Sequence, residues 1–414
     1  MTSAPPAYLN ADIARRSVRL DPREPAFFND PYPAYGWLHE AMPSFFWQEF
    51  GFWCFAGYDV VNRLLRDRRF GRENRWGPPG IVDDGRSHLA DFDAVERRSL
   101  LELEPPAHTR LRTLVNRAFV SRQVERLRPR IEQLSHQLID RIEEDGEADL
   151  LPAFATPIPV TVIAEMLGVP AESGPQLVAW SNRMVRMYTL APGPETERDA
   201  NAAARDFATF LHEHVNSRRG DPRDDLLTHM IQASEDGEKL DEAELVSSVI
   251  LLLNAGHEAT VHQTGNAVRT ILRQGGDPRR FFATPGATAA TVEECLRIDA
   301  PLHMFTRYAY EDVEIEPGIT VRTGDKIGLL LAAANNDPGA YVAPRRFDPT
   351  RSDQKNVSFG AGIHFCIGAP LARLELQAGL KVLFERLPEL RLAEEPRYRD
   401  NYHFHGLEKL VVRF

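Results

Sequence analysis

One stretch of the chain sets the scale for the rest: LVSSVILLLNAGHEATVHQTGNAVRTIL, residues 245–272. It holds no proline, and apolar residues occupy most faces of its middle. The spacing predicts a helix of roughly 30 residues buried on all sides, far above the mean of about 11–12. Asp241 followed three residues later by Glu244 supplies a capping-box start. Gly256 falls mid-helix, where glycine costs about 1 kcal/mol relative to alanine. It needs a reason, either a ligand approaching the backbone or a local bulge.

The remaining pattern is shorter-ranged. The first forty residues are Pro-rich and irregular. SFFWQEFGFWCFAG, Ser44 to Gly57, is aromatic with Gly51 near its centre and reads as a β-hairpin. Residues 71–104 carry Gly, Pro and Asp clusters and read as a long loop with one short helix. Helical signals dominate from Pro106 to Gln274, with Ser121 as a cap for the helix that follows it. A helix is expected over Thr288–Ile298, then short strands at Val313–Ile315, Thr320–Arg322 and Ile327–Leu331. Residues 333–358 read as irregular. A last helix begins just after Cys366 and runs to about Arg386, and Lys409–Phe414 closes the chain as a strand. No repeat or low-complexity linker is visible. The expectation is one mainly α domain over residues 1–414 with a smaller β portion.

Charge narrows the function. The net charge of −11 argues against general nucleic-acid binding. Yet His108–Arg130 holds seven arginines (110, 112, 117, 122, 126, 128, 130) against one acid, Glu125. That reads either as a solvated helix face or as a patch for an acidic partner. The cysteines are Cys54, Cys295 and Cys366, too few and odd in number for a disulfide framework, so a reducing cytoplasm is expected. MTSAPPAYLNADIARR lacks the apolar core of a secretory signal, and no apolar run is long enough for a membrane anchor.

The most informative segment is Phe359-Gly360-Ala361-Gly362-Ile363-His364-Phe365-Cys366-Ile367-Gly368. Its glycines permit tight turns and close approach to a flat ligand. Cys366 precedes a predicted helix, whose N-terminus favours a thiolate. A thiolate among backbone N–H groups suits an axial iron ligand. The segment resembles the haem-binding signature of the cytochrome P450 family, Phe-Gly-x-Gly-x-His-x-Cys-x-Gly, with every fixed position filled. The resemblance extends from the hairpin near residue 44 to the C-terminus.

The resemblance implies the cytochrome P450 fold, with the long helix over a haem b (iron protoporphyrin IX) whose axial thiolate comes from Cys366. It implies a monooxygenase that puts one oxygen atom of O2 into a small organic substrate, by hydroxylation or epoxidation. Electrons would come from NAD(P)H through a ferredoxin reductase and an acidic ferredoxin docked on the basic proximal face, with Arg373 contributing. It also implies that Phe359, Gly360, Gly368, Ala255 and Gly256 lie against the haem, and that His108, Arg112, Arg307 and His364 bind its propionates. Glu294 and Arg297 match the family's Glu-x-x-Arg pair, and Pro344-Arg345-Arg346-Phe347 matches its meander, making Arg346 the third member of that structural lock. A monomer is expected.

Ala255-Gly256-His257-Glu258-Ala259-Thr260 resembles the family's Ala-Gly-x-Glu/Asp-Thr-Thr, with one departure. Glu258 would feed protons, but the alcohol that should follow it is Ala259. Thr260 is about 100° further round the helix and is not expected at the same spot. Either a substrate hydroxyl or an ordered water, held for example by Asn254, replaces that alcohol, or reducing equivalents leak to peroxide. The pocket is expected to be lined by Leu251, Asn254, Ala255, Ala259, Leu302, Phe305 and Phe404, under a lid from residues 75–100 and 181–200. The substrate is expected to be apolar or mixed. A zinc-hydrolase reading of His257, Glu258 and His262 fails, because the histidines are about 140° apart on a helix. Two rivals are a non-enzymatic haem sensor, for which no signalling module is visible, and a peroxide-driven variant, which would want a cation near Ala259.

Overall fold

A computed structural model describes residues 4–75, 86–118, 124–188, 192–235, 238–352 and 355–414. The expected Ser121 cap lies outside them, as does Arg122 of the basic stretch.

The long helix is present as Glu242–Leu272. Asp241 Oδ1 accepts from Glu244 N at 2.7 Å, and Glu244 Oε2 accepts from Asp241 N at 3.0 Å. Two otherwise orphan donors are thus satisfied at its start. The helix spans roughly 46 Å and is buried along most of its length. It packs against helices Pro157–Met166, Gly174–Val185, Pro194–Gly220, Pro285–Ile298 and Ala369–Arg386. These elements share one large apolar core that includes Phe154, Phe207, Leu253 and Phe384.

A seven-stranded sheet forms the second lobe. Its strands are β1 (Asn10–Asp12), β2 (Ser17–Arg19), β3 (Ser44–Trp47), β4 (Phe52–Phe55), β5 (Phe70–Gly71), β6 (Met304–Ala309) and β7 (Lys326–Leu330). They lie in the order β1-β2-β3-β4-β7-β6-β5. β3 and β4 form the expected antiparallel hairpin, with Ser44 opposite Phe55 and Gly51 in the turn at φ +72. Alternate aromatic side chains from the hairpin pack beneath the sheet around Phe27, Tyr35 and Trp47. The chain returns to this lobe after the long helix, so β7 pairs parallel to β4 and antiparallel to β6. This return is what brings Phe305 and Arg307 to the site.

The fold is mainly α with a smaller β part, as expected. The short helix in 71–104 is Ala90–Glu96, and the strands near 313 and 320 are Val313–Glu316 and Ile319–Val321. The closing strand is shorter than expected, Val411–Arg413. Among the described residues no helix is long and apolar enough to cross a membrane.

Candidate active site

The cysteine loop is shaped by two of its glycines. Gly360 and Gly362 have φ +69 and +71, a region L side chains rarely adopt. A Cβ on Gly362 would lie 2.6 Å from Leu65 O, and one on Gly360 would lie 3.1 Å from the Phe305 ring. Gly368 differs: its φ is −82, and a Cβ there would meet only the Cys366 sulfur, at 3.9 Å. Its smallness serves the space beside the sulfur rather than the turn. Cys366 N donates to Phe359 O at 2.9 Å, closing the loop. Helix Ala369–Arg386 follows, but its N-terminus does not by itself make a thiolate. Burial pushes the Cys366 thiol up, and the Gly368 and Ala369 N–H groups with Arg112 and Arg373 offset only part of it. A cation on the sulfur would displace the proton outright.

Cys366 and the middle of the long helix line one cavity of about 1440 Å³, with Ala255, Gly256, Glu258, Ala259 and Thr260 on its wall. The helix is unbroken through Gly256, so the bulge explanation fails. A Cβ at Gly256 would make ordinary contact with Ile163 at 3.5 Å, so packing does not demand glycine either. Gly256 itself lies on the cavity wall. Thr260 reaches the cavity wall as well as Ala259. Its hydroxyl still does not replace the missing alcohol, since Oγ1 donates back to Gly256 O at 3.4 Å. Glu258 stands between two imidazoles. His262 Nε2 is 3.0 Å from Oε1, and His257 Nε2 is 3.7 Å from Oε2. Burial pushes the Glu258 carboxyl up, but the His262 bond, with the imidazoles and Arg399 nearby, more than offsets it, leaving its pKa lowered. Among the described residues no group of three or more His, Cys, Asp or Glu side chains is arranged to hold a metal ion.

Of the four residues expected at the propionates, Arg112, Arg307 and His364 line the cavity, and His108 packs against His364. His108 is buried, and neither ring nitrogen has a partner. Its ring lies 4.4 Å from that of His364. His364 Nε2 is 2.9 Å from Glu104 Oε1, which also accepts from Arg72 N at 2.7 Å. Arg307 is buried and donates to Thr306 O at 2.8 Å, with no carboxylate in ion-pair range among the described residues. Burial, with the charge of Arg72 beside it, pushes this guanidinium down to about 9. Arg112 donates to Phe365 O at 2.6 Å, tying its helix to the cysteine loop. A buried cation without a counter-ion and an imidazole with two bare nitrogens are incomplete alone. They suit a ligand carrying carboxylates. Glu104 was not foreseen, since a lone acid before Pro105 carries no motif.

The structural lock needs one correction. Arg297 Nε and Nη2 donate to Glu294 Oε2 and Oε1 at 2.7 and 2.8 Å, and all are buried. The third member is Arg351, not Arg346. Arg351 Nε donates to Glu294 Oε1 at 3.1 Å, while Arg346 is 74% exposed and 3.6 Å from Asp348. The meander turns between the two arginines and carries Arg346 outward. Arg297 Nη1 also donates to Asn335 O at 2.8 Å.

The basic stretch is less free than its composition suggests. Arg110 pairs with Glu244, Arg128 with Glu125 and Arg130 with Glu165. Arg126 is exposed. Phe365, also exposed, sits beside Arg112 next to the sulfur-bearing residue. Arg373 pairs with Glu293.

All seven residues expected in the pocket line the cavity. Leu302 and Phe404 face each other across a β-bridge. Asn254 Nδ2 points at Met184 Sδ, 3.8 Å away, and its Oδ1 has no partner. Of the expected lid, Phe92, Glu96, Leu100, Tyr188 and Gly193 reach the cavity; residues 76–85 and 189–191 are outside the described residues. Glu96 is one of several polar lid residues there, with Arg86, Asp93 and Thr196. Tyr188 OH is 3.2 and 3.3 Å from its two oxygens.

Comparison with known proteins agrees with this geometry. The family model "Cytochrome P450" matches residues 81–272 and 287–402. The chain is 39% identical over 372 residues to cytochrome P450 107B1 of Saccharopolyspora erythraea, covering 87% of this chain and 89% of that one. It is 35% identical to the 6-deoxyerythronolide B hydroxylase of the same organism, over 94% of this chain and 97% of that one. Among solved structures, P450BioI in complex with an acyl carrier protein superposes with a TM-score of 0.86 at 33% identity, covering 94% of this chain and 100% of that one. The chain belongs to the cytochrome P450 family, and is a haem monooxygenase that uses O2 and a small-molecule substrate.

Proposed function

We propose that this chain, as one haem domain, binds haem b through the Cys366 thiolate and oxygenates an apolar or mixed organic substrate held beneath the middle of helix Glu242–Leu272. One observation carries this reading. The cavity that receives Cys366 from one side and Ala255–Gly256 from the other ends at Arg307 and His364, with His108 packed behind. That arrangement fits a flat dianion: a thiolate on one side, a small-residue helix on the other, and arginines and imidazoles with donors left over for two carboxylates at the edge.

When bound, the haem supplies the activation of dioxygen, helped by electron density from the thiolate. The protein does the rest. His108, Arg112, Arg307 and His364 hold the propionates, with Glu104 orienting His364. Phe359, Gly360 and Gly368 keep the sulfur side thin. Leu251, Leu302, Phe305 and Phe404 exclude water and orient the substrate. Glu258 passes protons to the cavity. With alanine at 259, a substrate hydroxyl or a water near Asn254 supplies the missing hydrogen bond. Exposed Phe365, with Arg112 and Arg126, forms the docking face for an acidic ferredoxin, served by an NAD(P)H-dependent reductase. The protein acts as a monomer.

The test is the absorption of the purified protein after dithionite and carbon monoxide. Wild type is expected to show the thiolate-type band, and Cys366→His the band of a histidine-bound globin. A histidine-type band in wild type would sink the reading. Turnover with hydrogen peroxide alone would favour the peroxide-driven variant.

A further inference from the structure

Glu258 is bonded one turn along its own helix, to His262. On an exposed helix face such an i, i+4 contact is worth about 0.2–0.5 kcal/mol. Here both groups are withdrawn from water: the side chains are 16% and 3% exposed, and Glu258 faces the cavity. The imidazole cannot turn away. A Cβ on Gly406 would lie 1.9 Å from Nδ1, so the backbone of the C-terminal segment presses on the ring. The Phe404 ring lies 6.0 Å away on the same segment. His262 Nδ1 is buried with no partner, which leaves Nε2 as the nitrogen that carries a hydrogen toward Glu258. The other titratable or charged groups near the carboxyl are His257, whose burial disfavours its charged form, and Arg399. His257 is committed through Nδ1 to Leu253 O at 2.9 Å.

We propose that His262 is a positioning residue for proton delivery: packed against Gly406, it donates from Nε2 to Glu258 Oε1 and holds that carboxylate aimed at the cavity. Protons are conserved in the relay. A proton taken up by Glu258 leaves it into the cavity, and His262 keeps its own. The inference rests on the reading that Glu258 feeds protons to the haem side.

The experiment compares wild type, His262→Leu, His262→Gln and Glu258→Gln as holoproteins. In the diamagnetic ferrous carbon monoxide form, nitrogen NMR of labelled histidine is expected to find His262 protonated at Nε2, and Glu258→Gln to shift its resonances. With substrate, His262→Leu is expected to lose roughly tenfold in product formed per NAD(P)H, the lower end of what a hydrogen bond to a charged group is worth. Its substrate-induced spin shift should be unchanged, and its solvent isotope effect should rise. His262→Gln, whose amide donates the same bond, should recover most of the coupling. Wild-type coupling in His262→Leu, or His262 resonances indifferent to Glu258→Gln, would overturn the proposal. Should His262→Leu fail to hold haem, the NMR comparison and His262→Gln still decide. A thiolate-type band in wild type keeps any such failure separate from a failure of the haem assignment.

Discussion

Arg351 Nε donates to Glu294 Oε1 at 3.1 Å, and both side chains lie at or below one-tenth exposure. Glu294 therefore holds two guanidiniums and the Asp348 N–H at once. Removing one partner of such a buried group costs about 3–5 kcal/mol, because the others keep their charge in low dielectric. Arg351→Ala is expected to lose stability of that order and to retain haem poorly. Arg346→Ala, at an exposed position, should fall within about 0.5 kcal/mol of wild type. Urea denaturation of the two variants separates the assignments. Equal losses would show that the meander is held differently.

Arg307 makes an opposite-signed prediction for the two forms of the protein. Its guanidinium is buried with no carboxylate in ion-pair range among the described residues, so Arg307→Met should leave the apoprotein as stable or more so. The holoprotein should lose haem at least about tenfold more readily, the value of one charge-assisted hydrogen bond. Haem transfer to an apoglobin, timed for both proteins, reads this directly. Unchanged transfer would remove Arg307 from the propionate site.

Glu96 gives the clearest pH signature. Burial first, and the negative charge of Glu102 second, push its carboxyl from 4.5 up to about 7. The folded state then prefers the protonated acid. That contribution to stability is complete below about 4.5 and is lost as pH rises through about 7. Glu96→Gln mimics the protonated form. Its melting temperature should exceed wild type above pH 7 and converge with it in acid. A gain that grows toward low pH would contradict the burial of this group.

Ala259→Thr restores an alcohol beside Glu258. Product per NAD(P)H should rise for substrates lacking a hydroxyl near the reacting carbon, and change little for those that carry one. Coupling that is identical across both sets would strip position 259 of importance.

What could be read in the chain was what local spacing encodes. The Asp241–Glu244 cap, the apolar middle of the long helix and the Gly-x-Gly-x-His-x-Cys loop each sit within a few turns of backbone. What escaped needed partners remote in sequence. β6 was not recognised, since its neighbours β5 and β7 come from both sides of a gap of more than two hundred residues. Arg346 and Arg351 share one irregular segment, and only the tertiary turn decides which faces Glu294. The arginines at 110 and 130 looked free until Glu244 and Glu165 were brought beside them.

The backbone of Gly362 rests against the carbonyl of Leu65, at the end of helix Tyr58–Leu64 in the sheet lobe. The sulfur of Cys366 is thus surveyed from two independent reference points, its own helix and the N-terminal lobe. Under the thiolate ligation proposed above, a lesion that lets this lobe drift is expected to disturb the seat of the sulfur even when it lies far from the pocket. Phe305 belongs to both regions, lining the cavity while its ring abuts Gly360, so reshaping the wall there reaches the cysteine loop as well.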